Sequence, residues 1–323
     1  MVKRLFLLRD ATISDTKTKT DTMNNVTRRS TSPIHGLLFM ASGMFLFSMV
    51  DTIAKFLTND FHPIQVMWSR QTGLVIGVLI LVAIKGFSIF HTNRPFLQVT
   101  RGIAAAGSGI LFIFAIVYVP LADAVAVSFV APFLVTVMGA IFLGEKVGIR
   151  RWTAISIGFL ATLLIIRPGL GVVHPAAFLV VLAASLFALR QILSRALIAD
   201  SVTTTVAFTA LVSGAFLTIP LPFVWQTPQW GLDLVLLSAL AILAAIAEIC
   251  VIKALSMAEA VILAPVHYTL IIWGTLYGFY IFGDFPDIWT WVGAIIITLS
   301  GIYTVYREHV VSKQKKLETA ESS

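Results

Sequence analysis

The feature that most constrains this chain is a succession of apolar runs, each about twenty residues long and nearly free of charge. A run of that length, wound as a helix, crosses the hydrocarbon core of a bilayer. The runs fall at about 34–57, 63–84, 101–118, 122–143, 152–166, 175–197, 203–224, 232–257, 260–282 and 288–306. Breaker residues mark the turns between them: Asn59, Asp60, Gly86, Pro120, Gly144, Pro228, Gly283 and Pro286. The apolar residues run continuously rather than alternating, which excludes a barrel of strands. Charged residues make up 12% of the chain, against roughly 25% in soluble domains. The expected fold is therefore an all-α membrane protein of ten transmembrane helices.

The net charge of +7 could suggest a nucleic-acid partner, but its placement argues otherwise. With the N-terminus in the cytoplasm, the inner side holds Lys85, Arg94, Arg101, Lys146, Arg150, Arg151, Arg190, Arg195, Lys253, Arg307 and Lys313, besides the basic tail. The outer side keeps Arg167 and Lys55. That bias is the orientation signal of a membrane protein and leaves no basic surface for nucleic acid. Residues 1–33 read as a disordered cytoplasmic tail, rich in Thr, Ser, Asp and Lys. They are no signal peptide, because the apolar stretch Leu5–Leu8 ends at Arg9 and Asp10; Met23 is an alternative start. The lone Cys250 permits no disulfide within the chain, and no metal-ligand spacing or cofactor motif is present.

The chain repeats itself. Leu121-Ala-Asp-Ala-Val125 is similar to Met257-Ala-Glu-Ala-Val261, and each opens a long apolar span. Each span ends in a like turn, Phe142-Leu-Gly-Glu145 and Ile281-Phe-Gly-Asp284, with Trp152 and Trp291 seven residues beyond. The halves are 34–170 and 171–306, followed by a cytoplasmic tail at 307–323. Five helices per unit is an odd number, so the second unit lies inverted in the membrane. Two inverted five-helix repeats are an architecture of alternating-access carriers, with the site between the repeats near the midplane.

These same residues carry a family resemblance. Leu121 to Val125, Phe129-Val-Ala-Pro132, Phe142-Leu-Gly-Glu-Lys146, Trp152, Gly158 and Arg167-Pro-Gly169 resemble the EamA repeat of the drug/metabolite transporter superfamily. Pro265, Gly283, Asp284, Trp291, Gly293 and Gly301 carry it into the second half, which departs from the family pattern at Phe285-Pro286, where a basic residue is common. The resemblance covers residues 34–306 and implies a transporter of a small organic molecule in a bacterial inner membrane. Members of the superfamily move amino acids, sugars, nucleotide-like metabolites and vitamins, so the resemblance leaves the substrate open.

Charges inside spans are the informative candidates, since each costs about 2.5–3.5 kcal/mol at the bilayer centre. Glu248, near the middle of the eighth span, reads as a substrate contact or a proton-coupling carboxylate, against a structural pair with Lys253 or an arginine. Asp51 and Lys55 stand four apart in span one and either neutralise each other or pair across to another helix as a gate. Arg70 holds a substrate anion or pairs with Asp51 or Glu248. His267 and Tyr268, after Pro265, suit a cavity wall where proline loosens the helix. Trp68, Trp273 and Tyr277 could stack on a flat substrate or merely fill the core or membrane interface. Arg101, Arg190, Arg195 and Lys253 read as orientation signals at inner helix ends. Gly102, Ala105, Ala106 and Gly109 form small-residue spacings that suit close helix packing.

The expected function is secondary transport, with uptake of a flat polar vitamin such as riboflavin as first choice. S-adenosylmethionine uptake and export of amino acids or metabolites are the alternatives. A multispan membrane enzyme would need a nucleophile–base set or a metal set, and the histidines are scattered. A channel would need repeated filter residues, which the sequence does not show. The expected partners are the lipid bilayer and a small-molecule substrate, and a homodimer is compatible with the sequence.

Overall fold

The computed structural model describes residues 33–142, 148–166, 174–197, 199–258, 263 and 266–321. Every regular element among them is a helix. Peptide groups in lipid find no water, so each apolar run closes its hydrogen bonds within itself. Helix α1 spans Pro33–Leu57 and α2 spans Pro63–Lys85. The His62 ring accepts the Ile64 N–H at 3.3 Å, and Pro63 takes a first-turn position where a missing N–H is harmless. Helix α2 stops at Gly86, whose φ of 72° favours glycine.

Helix α3 runs Pro95–Tyr118, which corrects the expected start at Arg101. Pro95 supplies the first turn, so Arg101 lies well inside the helix and is buried. The fourth span is broken into α4, Leu121–Ser128, and α5, Ala131–Phe142. Pro132 offers no N–H to the Ser128 carbonyl, and the Ser128 hydroxyl donates back to the Val125 carbonyl at 2.7 Å.

Then follow α6, Ile149–Ile166; α7, Ala177–Ala196; α8, Val202–Thr218; the short α9, Leu221–Val224; and α10, Leu232–Met257. Helix α10 matches its expected bounds at both ends, whereas the seventh span turns at Ile219 and Pro220 instead of continuing to Val224. Helix α11, Leu270–Tyr277, follows a turn at Tyr268 and Thr269 and passes into a π-helical turn, Gly278–Phe282. Helix α12, Ile288–Glu321, continues without a break past residue 306.

Six of these segments are long and apolar enough to cross a membrane; four shorter apolar helices lie at Trp152–Ile166, Val202–Thr218, Leu270–Phe282 and Ile288–Tyr303. Ile113, Ile116, Leu121, Val125, Phe133 and Ile165, each at most 1% exposed, fill the centre between α3, α4, α5 and α6. Leu79, Ile80, Leu160, Ile242 and Leu299 point outward and are more than half exposed, an apolar exterior that suits lipid.

Glycines set the closest approaches. A Cβ at Gly102 of α3 would strike Val212 of α8, and one at Gly73 of α2 would strike the Ala241 carbonyl of α10. The tail 1–32, the turn residues Leu143 to Lys146, the Arg167-Pro-Gly169 break, Glu259 to Val261 and Pro265 lie outside the described residues.

Candidate functional site

A cavity of about 870 Å³ opens inside the bundle, walled by α1, α2, α3, the α4–α5 break, α7, α8, α10 and the turn before α11. Its size is that of a site enclosing a whole small metabolite. Both helix breaks reach it: Ser128, Phe129 and Pro132 on one side, His267 and Tyr268 on the other. The breaks touch, with the Phe129 and Tyr268 rings edge to face at 4.9 Å. Non-helical backbone at this depth is tolerated where it borders a cavity.

Five of the nine expected site residues line this space: Asp51, Arg70, Glu248, His267 and Tyr268. Arg70 Nη1 donates to Asp51 Oδ1 at 3.2 Å, and its guanidinium lies 5.8 Å from the Phe47 ring centre. Asp51 is therefore paired with Arg70, not with Lys55 as the spacing within α1 allowed. Glu248 faces the cavity from the middle of α10, with no hydrogen bond or ion pair among the described residues. Lys253 is exposed and sits over the Phe39 ring at 5.7 Å, so it does not serve Glu248.

The other four stand elsewhere. Lys55 Nζ donates to Asp284 Oδ2 at 3.0 Å and to the Val119 carbonyl at 3.3 Å, above the Phe282 ring. The Trp68 indole donates to the Thr218 hydroxyl at 3.0 Å and meets Trp225 edge to face. Trp273 and Tyr277 pack on Phe45 of α1, at 5.1 and 6.2 Å between ring centres. These three aromatics fill helix contacts, and none lines the cavity.

Three arginines that read as orientation signals also line the cavity: Arg101, Arg190 and Arg195. Arg101 donates to the Ser194 hydroxyl at 2.7 Å, to the Thr205 carbonyl at 3.3 Å and to the Thr209 hydroxyl. The Arg190 guanidinium lies 5.1 Å from the Phe187 ring centre, and its buried Nε has no acceptor among the described residues. The missed signal was spacing: Arg190 and Gln191 share a helix face with Ser194 and Arg195, four residues on.

Residues 34–167 match the EamA-like transporter family. The chain is 27% identical to an S-adenosylmethionine uptake transporter of Rickettsia felis, over 84% of this chain and 95% of that protein. It is 28% identical to a riboflavin transporter of Vibrio cholerae, over 88% and 97% respectively. A pseudopaline exporter of Pseudomonas aeruginosa is 24% identical over 83% of this chain and 94% of its own. One crystal structure of a protein at 16% identity superposes with a TM-score of 0.59, over 85% of this chain and 98% of that one, and supports the fold alone.

Proposed function

We propose that this EamA-like transporter of the bacterial inner membrane is a secondary carrier that takes up a small polar metabolite through the cavity between its two halves. Riboflavin and S-adenosylmethionine, the cargoes named for its relatives, are the candidate substrates. The cavity itself carries this conclusion: charged side chains and two broken helices converge on one metabolite-sized space inside an otherwise apolar bundle. The transporter relatives point away from a membrane enzyme. The direct test is uptake of labelled riboflavin and S-adenosylmethionine by a host that lacks its own uptake system. Saturable entry of one compound is expected; entry of neither, with the protein present in the membrane, refutes the proposal.

The proposed architecture is ten crossings in two inverted units, 34–170 and 171–306. Helix packing supports it, because contacts come in pairs that exchange the halves. Helix α1 packs on α10 as α7 packs on α3, and α2 packs on α10 as α8 packs on α3. Helix α5 meets α7 as α11 meets α1. With both termini in the cytoplasm, a reporter fused after Lys316 should be active inside and one in the loop between Trp225 and Trp230 outside. An external reporter at Lys316 contradicts this topology.

In that orientation the cavity reaches the cytoplasmic helix ends at Met40, Arg195 and Leu255. The outer end is held by Lys55–Asp284 and by Gln65, which exchanges two hydrogen bonds with Gln226, at 2.7 and 2.8 Å. We therefore assign the conformation as inward-facing, with Lys55–Asp284 as an outer latch. A partly exposed pair is worth about 1 kcal/mol, so Lys55→Gln should shift the balance toward the outward-open state roughly fivefold. Thiol labelling from outside, at Ser128→Cys in a Cys250→Ser background, reads this shift. It should rise in Lys55→Gln and fall back in the charge-swapped Lys55→Asp/Asp284→Lys. Identical labelling in all three excludes the latch.

A further inference from the structure

We infer that the cavity holds an anion subsite formed by Arg101 and Arg190, which takes an oxyanion group of the transported metabolite, while Glu248 takes a cationic group of the same molecule. The inference rests on the carrier function proposed above and specifies its substrate class.

Charge balance comes first. Among the described residues, Arg70, Arg101 and Arg190 line the cavity beside the carboxylates Asp51 and Glu248. Arg70 is already matched by Asp51. The partners of Arg101 are hydroxyls and a carbonyl, all neutral, so they fix its direction without cancelling its charge. Arg190 repels Arg101 and Glu248 attracts it, yet Glu248 makes no ion pair with either arginine. Two guanidinium groups that line one cavity inside an apolar bundle call for a counterion, and the bound molecule can supply one.

Hydrogen-bonding capacity points the same way. Among the described residues Arg190 keeps a buried Nε–H without an acceptor, although most buried donors in proteins are satisfied. A guanidinium presents a planar fork of donors that matches a carboxylate or a phosphate in two parallel bonds. Glu248 offers the complement, an unpaired acceptor on the α10 wall. A molecule with both an oxyanion and a cationic centre would satisfy both. S-adenosylmethionine has such an amino-acid head, whereas riboflavin has no ionised group at neutral pH. The geometry therefore favours the first of the two candidate cargoes.

The test uses the full chain in lipid nanodiscs and two matched ligand pairs. One pair is S-adenosylmethionine and its carboxyl methyl ester; the other is riboflavin 5′-phosphate and riboflavin. Binding is read by the shift in melting temperature with ligand concentration. The wild type should bind the member of one pair that carries the oxyanion at least tenfold tighter than the member that lacks it. A preference in the first pair identifies a carboxylate, and one in the second a phosphate. Arg190→Gln should lose the preference and Arg190→Lys should keep part of it; unliganded melting and elution profile show that each variant is folded. Equal binding within both pairs overturns the subsite but leaves the carrier standing. A preference undiminished in Arg190→Gln likewise overturns it. Binding of none of the four also overturns it, and if labelled uptake is absent as well, the carrier function falls with it.

Discussion

Glu248→Gln should lower uptake about 10- to 100-fold at equal membrane level, the loss expected when a charged hydrogen bond to the substrate becomes a neutral one. The carboxylate sits in the middle of α10, between Ala247 and Ile249, in a helix otherwise almost wholly apolar. Retaining a charge there costs about 2.5–3.5 kcal/mol on insertion scales, and no ion pair among the described residues offsets that cost. Glutamine keeps the shape and removes the charge, so the variant should insert at least as well as the wild type while transport fails. A structural role predicts the reverse, namely poor membrane levels with normal transport per molecule. Lys253→Gln is the control, since Lys253 lies exposed over Phe39, away from the cavity. Initial uptake rates against substrate concentration separate the outcomes, and wild-type kinetics in Glu248→Gln would make the residue a bystander.

The second large effect is structural. Gly73→Ala should destabilise the protein by about 1–3 kcal/mol, as overpacking does where no neighbour can yield. A methyl group there lands on the backbone carbonyl of Ala241, which has no rotamer to retreat into. Helix α10 would have to move away from α2, and Ala241 shares a helix face with Glu248 two turns on. Gly73→Leu should leave little folded protein. Gly77, one turn further along α2, would place its methyl in open space. Gly77→Ala should therefore melt at or slightly above the wild-type temperature, because alanine favours the helix. Melting of the purified proteins in detergent checks both, and equal melting of Gly73→Ala and Gly77→Ala would contradict this packing.

Much of the fold was legible because lipid reduces the problem to hydropathy and breakers. The run 232–257 matches α10 at both ends, whereas the run 122–143 hid the break between Ser128 and Ala131. Arg101 shows where such reasoning stops. A window of hydropathy treats an arginine as an edge, yet Pro95 starts the helix earlier and carries Arg101 inside. Asp51 shows the same limit for charge pairs. Spacing of four offered Lys55, but the two residues turn to different neighbours, Arg70 of α2 and Asp284 beyond α11. Lys55 and Asp284 lie 229 positions apart, and no local pattern announces their meeting. Trp68, Trp273 and Tyr277 have the residue types of a stacking site, but their faces meet other helices. That Glu248 faces the cavity was legible because a carboxylate in the middle of an apolar run turns away from lipid.

The most direct measurement is made on purified protein in liposomes that contain nothing else. Entry of labelled S-adenosylmethionine and labelled riboflavin is followed over time, for the wild type and for Glu248→Gln reconstituted in equal amount. The cavity account expects saturable entry of one compound with the wild type, S-adenosylmethionine before riboflavin, and entry near that of empty liposomes with Glu248→Gln. Saturable entry that Glu248→Gln leaves unchanged, or no entry of either compound through the folded wild type, would contradict it.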